Sequence, residues 1–256
     1  MKFYLPVARA RLPASRFYNN CMKDSLLYIR FAQRYARENA TLRHIKQFRR
    51  WYNDKRSGDT TLSRELPWMT YDAIDFLSSI AAPDHEVFEW GSGGSTLFFA
   101  RRCDRVISVE HDKKWSNFLK EKLLYLSINN VEYLEMPGVE VNDWEERDYR
   151  NPDDFISNDK NSIGLSYENY VKAIDAFPVN HFNIVVVDGR ARNCCVKRAI
   201  PHVKQGGYLI VDNSDREYYL QGFEELQDSG KWEKTEFQGP VFFQHAFSKT
   251  SFFRKI

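Results

Sequence analysis

Residues 89–96 read Glu-Trp-Gly-Ser-Gly-Gly-Ser-Thr, directly after an apolar stretch and directly before Leu97, Phe98, Phe99 and Ala100. Gly91 and Gly93 let a backbone approach a ligand where a Cβ would clash. A helix opening at Ser95 or Thr96 turns unpaired N–H groups toward that point, which suits an anionic group. These types in this order predict a nucleotide-type cofactor site at the carboxyl end of a strand. Glu110 lies 19 residues past Gly91, at the tip of a second apolar run. A carboxylate there can accept hydrogen bonds from both hydroxyls of a ribose. Two later apolar runs, NIVVVD at 183–188 and YLIVD at 208–212, also end in a carboxylate, and Asn213 follows the second.

Such residues need rigid elements beneath them. From Pro67 onward, helical and strand patterns alternate. Strands are predicted at 86–90, 105–110, 131–135, 183–188 and 208–212. Helices are predicted at 71–80, 95–102, 112–126, 192–203 and 215–228. Apolar strands alternating with helices imply an α/β fold, a doubly wound, mostly parallel sheet covered on both faces. Two last strands, at 232–237 and 250–255, leave no room for a crossover helix and predict a C-terminal antiparallel pair at one edge. Ligands of such sheets sit beyond the carboxyl ends of the strands. The tip residues Glu89, Glu110, Asp188 and Asp212 are therefore the ones expected to meet a ligand. The connection over 136–165 carries Asp143, Glu145, Glu146, Asp148, Asp153, Asp154 and Asp159 among Trp144, Tyr149 and Phe155. It reads either as a lid over a substrate or as a flexible acidic surface loop.

Charge divides the chain. Residues 1–57 hold 14 Lys/Arg against Asp24, Glu38 and Asp54, leaving 23 Lys/Arg against 32 Asp/Glu in the rest. That contrast predicts a basic, mainly helical N-terminal extension over 1–66 and a second domain over 67–256, joined near 57–61. Within the extension, 24–52 reads as a helix, with Leu27, Phe31, Tyr35, Leu42, Ile45, Phe48 and Trp51 on one side and basic residues elsewhere. The basic side reads either as a solvated face or as a docking surface for an anionic membrane, a charged glycan or another anionic partner. No base-reading motif occurs, so nucleic acid is the weakest of these. No apolar run of signal-peptide or membrane-span length is present. Cys21, Cys103, Cys194 and Cys195 show no metal spacing, and reduced thiols in a cytoplasmic protein, peripheral at a membrane if the basic face docks there, are expected. Among the histidines only His111 falls near the tips; His44, His85, His181, His202 and His245 read as structural.

Three details favour S-adenosylmethionine over a nicotinamide dinucleotide. The pattern is Glu-x-Gly-x-Gly with Thr96 where a dinucleotide fingerprint ends in glycine. Glu89 precedes the glycines, where it can hold an ammonium directly or through water. The sheet ends in an antiparallel hairpin. On the segments EWGSGGST, VISVEHD, NIVVVDGR, GGYLIVDN and KTSFFRK, the chain from about residue 68 to 256 resembles a class I S-adenosylmethionine-dependent methyltransferase. The resemblance implies a Rossmann-like seven-stranded sheet of order 3-2-1-4-5-7-6. It implies that Glu89, Gly91, Ser92 and Gly93 surround the methionine part, Glu110 the ribose, and that His111 lies near the adenine. Ser95 departs from the family's frequent third glycine and offers a hydroxyl to a carboxylate. Tyr71, with Trp68, reads either as core or as an aromatic wall of the cofactor site.

In that fold the tips bearing Asp188 and Asp212-Asn213 meet. Two carboxylates and an amide oxygen suit Mg2+ or another divalent cation. The set resembles that of metal-dependent O-methyltransferases of the catechol type, in which the metal holds and acidifies a substrate hydroxyl. Ala191 stands where that type has a lysine base. The other reading leaves Asp188 as the group that orients substrate or serves as general base, with Asp212 and Asn213 satisfying strand-end backbone groups. Arg190, Arg192 and Arg216 read either as surface ion pairs or as a grip on an acceptor's carboxylate or phosphate. The segments VDGRARNCC and VDNSDREYY are similar to bacterial sugar and polysaccharide O-methyltransferases, including the glucuronoxylan group. The expected activity is transfer of a methyl group to a hydroxyl of a small molecule or glycan. Two rivals are carried: an NAD-dependent oxidoreductase, and a non-catalytic methyltransferase-like binding protein docked through its basic N-terminus.

Overall fold

The computed structural model describes residues 14–39, 43–242 and 247–256. The first 13 residues of the basic extension, Leu42 and His245 lie outside the described residues. The single helix read over 24–52 is two helices, α1 (Ala14–Asn39) and α2 (Arg43–Ser57). Their apolar faces pack on each other, Tyr28 against Trp51 and Tyr35 against His44, so the chain doubles back between them. Tyr28 and Trp51 are buried in one continuous core with Met69, Tyr71, Phe242 and Phe252.

The strands are β1 (Glu86–Trp90), β2 (Arg105–Glu110), β3 (Val131–Glu135), β4 (Val139–Glu140), β5 (Leu165–Ser166), β6 (Phe182–Val187), β7 (Val203–Asp212), β8 (Trp232–Pro240) and β9 (Phe247–Lys255). Seven form one sheet in the order β3-β2-β1-β6-β7-β9-β8, while β4 and β5 form a separate pair. Counting only the strands of the large sheet, this is the expected 3-2-1-4-5-7-6. Strands β3, β2, β1, β6 and β7 pair in parallel, and β9 runs antiparallel to both β7 and β8. Side chains alternate across the sheet. Phe88, Val185, Val187 and Leu209 enter the core on one face, and Val87, Ile184, Val186 and Ile210 the core on the other. Burial on both faces is why 184–187 is unbroken in its apolar character.

The helices over the sheet are α3 (Tyr71–Ile80), α4 (Gly94–Ala100), α5 (Lys113–Tyr125), α6 (Glu168–Lys172) and α7 (Arg192–Ala199). Thr70 caps α3, and Asp112 caps α5 by accepting from the N–H groups of Lys114 and Trp115. Two expectations fail. The helix read over 192–203 stops at Ala199, and a 3-10 turn with Pro201 leads into a strand that starts at Val203 rather than at 208. The helix read over 215–228 is absent: the segment is two 3-10 turns, Glu217–Tyr219 and Glu224–Gln227, on either side of Gly222, whose φ of 84° a helix cannot contain.

The acidic connection over 136–165 is built into the body. It contains β4 and leads into β5, and it buries Phe155 and Ile156. Asp153 pairs with Lys197, and Tyr149 O accepts from Asn193 Nδ2 at 3.0 Å. One of the acids that suggested a flexible surface, Asp153, is thereby tied to α7. Among the described residues, no helix is long and apolar enough to cross a membrane.

Candidate functional site

Glu89, at the end of β1, is fully buried. Its Oε1 accepts from Thr96 Oγ1 at 2.5 Å and from Ser108 Oγ at 2.8 Å, while Oε2 is buried with no hydrogen-bond partner among the described residues. Burial pushes the carboxyl up to about 7, against the hydroxyls of Thr96, Ser95 and Ser108. Thr96 also serves the turn before α4, where its Oγ1 accepts from Gly93 N–H at 2.9 Å. This satisfies a backbone donor at the start of the helix, where Gly93 has no side chain to cap with. Ser95 is buried beside it. Ser108 is a site residue that strand periodicity does not single out, although a lone hydroxyl inside the apolar run RVISVE is its visible signal.

The glycines divide the work. Gly91 has a φ of 95°, and a Cβ there would stand 2.8 Å from Asp188 O. The close approach of the β1 and β6 tips by itself requires this bareness. Gly93 is the roomier one: a Cβ would meet nothing nearer than 3.9 Å. Gly94 packs on the carbonyls of Thr61 and Leu66, which seats the segment before Pro67 against α4.

Glu110, at the tip of β2, is 3% exposed. Its Oε1 accepts from the N–H groups of His111 and Asp112, both at 2.8 Å. Its Oε2 accepts from Ser92 N at 3.1 Å and Ser92 Oγ at 2.7 Å. Burial works to raise its pKa, but His111 and these donors hold it below the usual carboxylate value. A ribose diol reaching Glu110 therefore has to take the place of the Ser92 hydroxyl, which also contacts Tyr133 OH at 2.7 Å. Trp115 Nε1 donates to Ser92 O at 2.9 Å and closes the turn. His111 lies beside Glu110 as expected, with Nδ1 2.9 Å from Oε1 and Nε2 accepting from Arg190 Nε at 3.1 Å.

The tips of β6 and β7 also meet, but an arginine stands between them. Arg192 Nη2 is 2.9 Å from Asp188 Oδ1, and Arg192 Nη1 is 4.0 Å from Asp212 Oδ2. The same guanidinium donates to the backbone carbonyls of Asp188, Gly189 and Asp212. Burial opposes its charge, but Asp188 and then Tyr219 and Asp212 keep it firmly protonated. Asp212 is 2% exposed; its Oδ1 accepts from Thr250 Oγ1 at 2.6 Å and its Oδ2 from Asn213 Nδ2 at 2.8 Å. Both carboxyls are pushed upward, each by burial first, with Asp188 adding repulsion at Asp212.

This donor set does not fit a divalent ion. Asn213 turns its N–H toward Asp212, both Asp212 oxygens are engaged, and Arg192 already supplies the positive charge between the carboxylates. No group of three or more His, Cys, Asp or Glu suited to a metal occurs among the described residues. The metal reading of Asp188, Asp212 and Asn213 is corrected accordingly. Asp212 and Asn213 join β7 to β9 through Thr250 and Ser248. Asp188 is the carboxylate of the pair that keeps an opening, its side chain 23% exposed, whereas Asp212 is buried.

Three further expectations change. Tyr71 is 1% exposed and donates to Asp54 Oδ2 at 3.0 Å, so it ties α2 to α3 and is no wall of the cofactor site. Arg192 is committed as described and cannot grip an acceptor. Arg190 pairs with Asp159 of the acidic connection at 3.0 Å, which binds that segment to His111. Arg216 remains exposed on the rim, held by Tyr219 OH at 2.7 Å, with Tyr218 against both Tyr219 and Tyr149. Cys103, Cys194 and Cys195 are buried and unbridged.

No protein-family model matches the chain, and no curated protein matches it in sequence. Solved structures do. A Klebsiella pneumoniae protein assigned as an O-methyltransferase aligns with a TM-score of 0.54 at 17% identity, over 81% of this chain and 98% of that one. The O-methyltransferase from Bacillus cereus, solved in complex with S-adenosylhomocysteine (SAH), aligns with a TM-score of 0.50 at 14% identity, over 77% of this chain and 91% of that one. The chain thus has the Rossmann-like fold of these methyltransferases, a seven-stranded sheet closed by an antiparallel pair.

Proposed function

We propose that this chain is an S-adenosylmethionine-dependent methyltransferase acting on a hydroxyl of a small molecule or glycan. The observation that carries the reading is the unpaired Oε2 of fully buried Glu89, at a turn where a Cβ on Gly93 would have 3.9 Å of room. A buried carboxylate oxygen without a donor is costly unless a cation reaches it. The ammonium of the cofactor's methionine part is such a cation, and Glu110, with Ser92 turned aside, suits its ribose. When bound, the cofactor supplies an electrophilic methyl group: the acceptor oxygen forms the new C–O bond while the S–C bond breaks and its electron pair stays on sulfur.

The chain's own residues orient the acceptor and remove its proton. Asp188 is the open carboxylate at the neighbouring tip, and its raised pKa suits it to take the hydroxyl proton near neutral pH. Arg192 holds Asp188 in place and supplies the fixed positive charge that a metal provides in the catechol type. Arg216, beside Tyr218 and Tyr219, suits an acceptor that pairs a ring with an anionic group. Calorimetric titration with S-adenosylmethionine and SAH tests the reading: binding of either in the micromolar range is expected, and Glu89→Gln should weaken it at least tenfold, by about 1.4 kcal/mol or more. Failure of both ligands to bind the wild-type chain would sink the proposal.

A further inference from the structure

The outer face of the N-terminal helices carries two features that the fold does not use. Met22, Leu26 and Ile29 of α1 are 62%, 60% and 45% exposed, and Ile45 of α2 is 63% exposed. Positions 22, 26 and 29 fall on one stripe of a helix, each about one turn from the next. These residues are on the opposite side from Tyr28, which supplies the buried contact with α2 and Phe247. A contiguous apolar stripe left in water signals a contact surface rather than a fold requirement.

On α1, basic positions 23, 30 and 37 fall beside the stripe at helical spacing, and α2 adds exposed basic residues of its own. Lys23, Arg30 and Arg37 of α1, with Lys46 and Arg49 of α2, are exposed and form no ion pair among the described residues. Two acids of this region are engaged elsewhere: Asp24 pairs with Lys55, and Asp54 accepts from Tyr71. The face is thus apolar along one line and positive along the next, in a segment with 14 Lys/Arg against three acids.

We propose that this face docks the protein on an anionic lipid bilayer, with Met22, Leu26 and Ile29 entering the acyl boundary and the basic residues facing the headgroups. Charge selects this occupant. A second copy of the chain would bring the same positive face against it. A nucleic acid would satisfy the cations but leave the apolar stripe without a place. An anionic bilayer offers both surfaces in one plane. The inference is independent of methyl transfer, since none of these residues touches the site at the strand tips.

Co-sedimentation of the full chain with vesicles of phosphatidylcholine, with and without phosphatidylglycerol, tests it. Binding to the phosphatidylglycerol vesicles is expected, falling as salt is raised, with little binding to pure phosphatidylcholine. The triple variant Arg30→Gln, Arg37→Gln, Lys46→Gln should bind about 100-fold more weakly, at roughly fivefold per basic residue. Leu26→Gln with Ile29→Gln should weaken binding more than about tenfold by removing the apolar contact. All five side chains are exposed, so unchanged circular-dichroism melting checks that each variant folds. Absent binding to anionic vesicles, or equal binding to both kinds, overturns the proposal. So does binding that ignores Leu26→Gln/Ile29→Gln, which would mean attraction of charge alone. Self-association in sedimentation velocity that is lost with Leu26→Gln/Ile29→Gln would instead assign the stripe to a second copy.

Discussion

Glu89→Gln separates the burden that Glu89 places on the fold from the binding it provides. Glu89 is fully buried, and burial raises its pKa from 4.5 to about 7. Between those values the folded chain keeps a proton that the unfolded chain releases. Stability from this group is therefore complete below the unfolded pKa and is lost as pH rises through the folded one. At about 1.36 kcal/mol per unit, the loss is about 3 kcal/mol above neutral pH and about 2.5 kcal/mol between about pH 5 and about pH 8. Glutamine keeps the acceptor for Thr96 and Ser108 and cannot ionise. Any fixed cost of its amide is the same at both pH values. Asp188 and Asp212 titrate in both proteins, so their contribution largely cancels. Urea unfolding of wild type and variant at the two pH values gives the double difference directly. The wild type should lose about 2.5 kcal/mol more than the variant across that range. Saturating SAH should shrink the wild-type loss, because an ammonium beside Oε2 favours the ionised form, and should leave the variant unchanged. Parallel pH dependence in the two proteins would refute the reasoning, since it would mean that Glu89 is solvated or already paired.

Other perturbations follow from the same geometry. Arg192→Met leaves Asp188 and Asp212 without their buried counter-charge and should cost about 3–5 kcal/mol in denaturant unfolding. Gly93→Ala should keep wild-type melting, since its Cβ has 3.9 Å of room, yet weaken SAH binding in calorimetry; Gly91→Ala, whose Cβ would stand 2.8 Å from Asp188 O, should lower the melting temperature itself. Prolonged chelation with EDTA should leave SAH binding and any methyl transfer unchanged, because Arg192 occupies the charge position between the carboxylates. Tyr71→Phe removes the bond to Asp54 and should cost about 1 kcal/mol of stability while the SAH Kd, measured by calorimetry, stays as it was.

Much of the fold was legible because it rests on local regularities. The apolar runs at 86–90, 105–110 and 131–135 become strands with those bounds, and the helix at 71–80 keeps its bounds as well. The segment 215–228 misled because its apolar spacing suits a helix while Gly222 adopts a left-handed φ that spacing does not reveal. The acidic connection misled because its charges read as solvation, whereas Asp153 and Asp159 are matched by Lys197 and Arg190 from elsewhere in the chain.

Residue order alone determined the alternation of strands and helices and the placing of Glu89, Glu110, Asp188 and Asp212 at strand tips, whereas the sheet order was implied only by the resemblance to class I methyltransferases. The first two are consequences of period and chain direction, which any stretch carries within itself. Only the tertiary structure decided what the tip residues face. Whether Asp188 and Asp212 hold an ion or an arginine depends on where the first turn of α7 lands once β6 and β7 pair, and Arg192 lands between them. Whether Tyr71 lines a cofactor or anchors a helix depends on α2 reaching it with Asp54. How much room a glycine leaves depends on distances of a few ångström across the fold: a Cβ on Gly91 would stand 2.8 Å from Asp188 O, and one on Gly93 would stand 3.9 Å from Trp115.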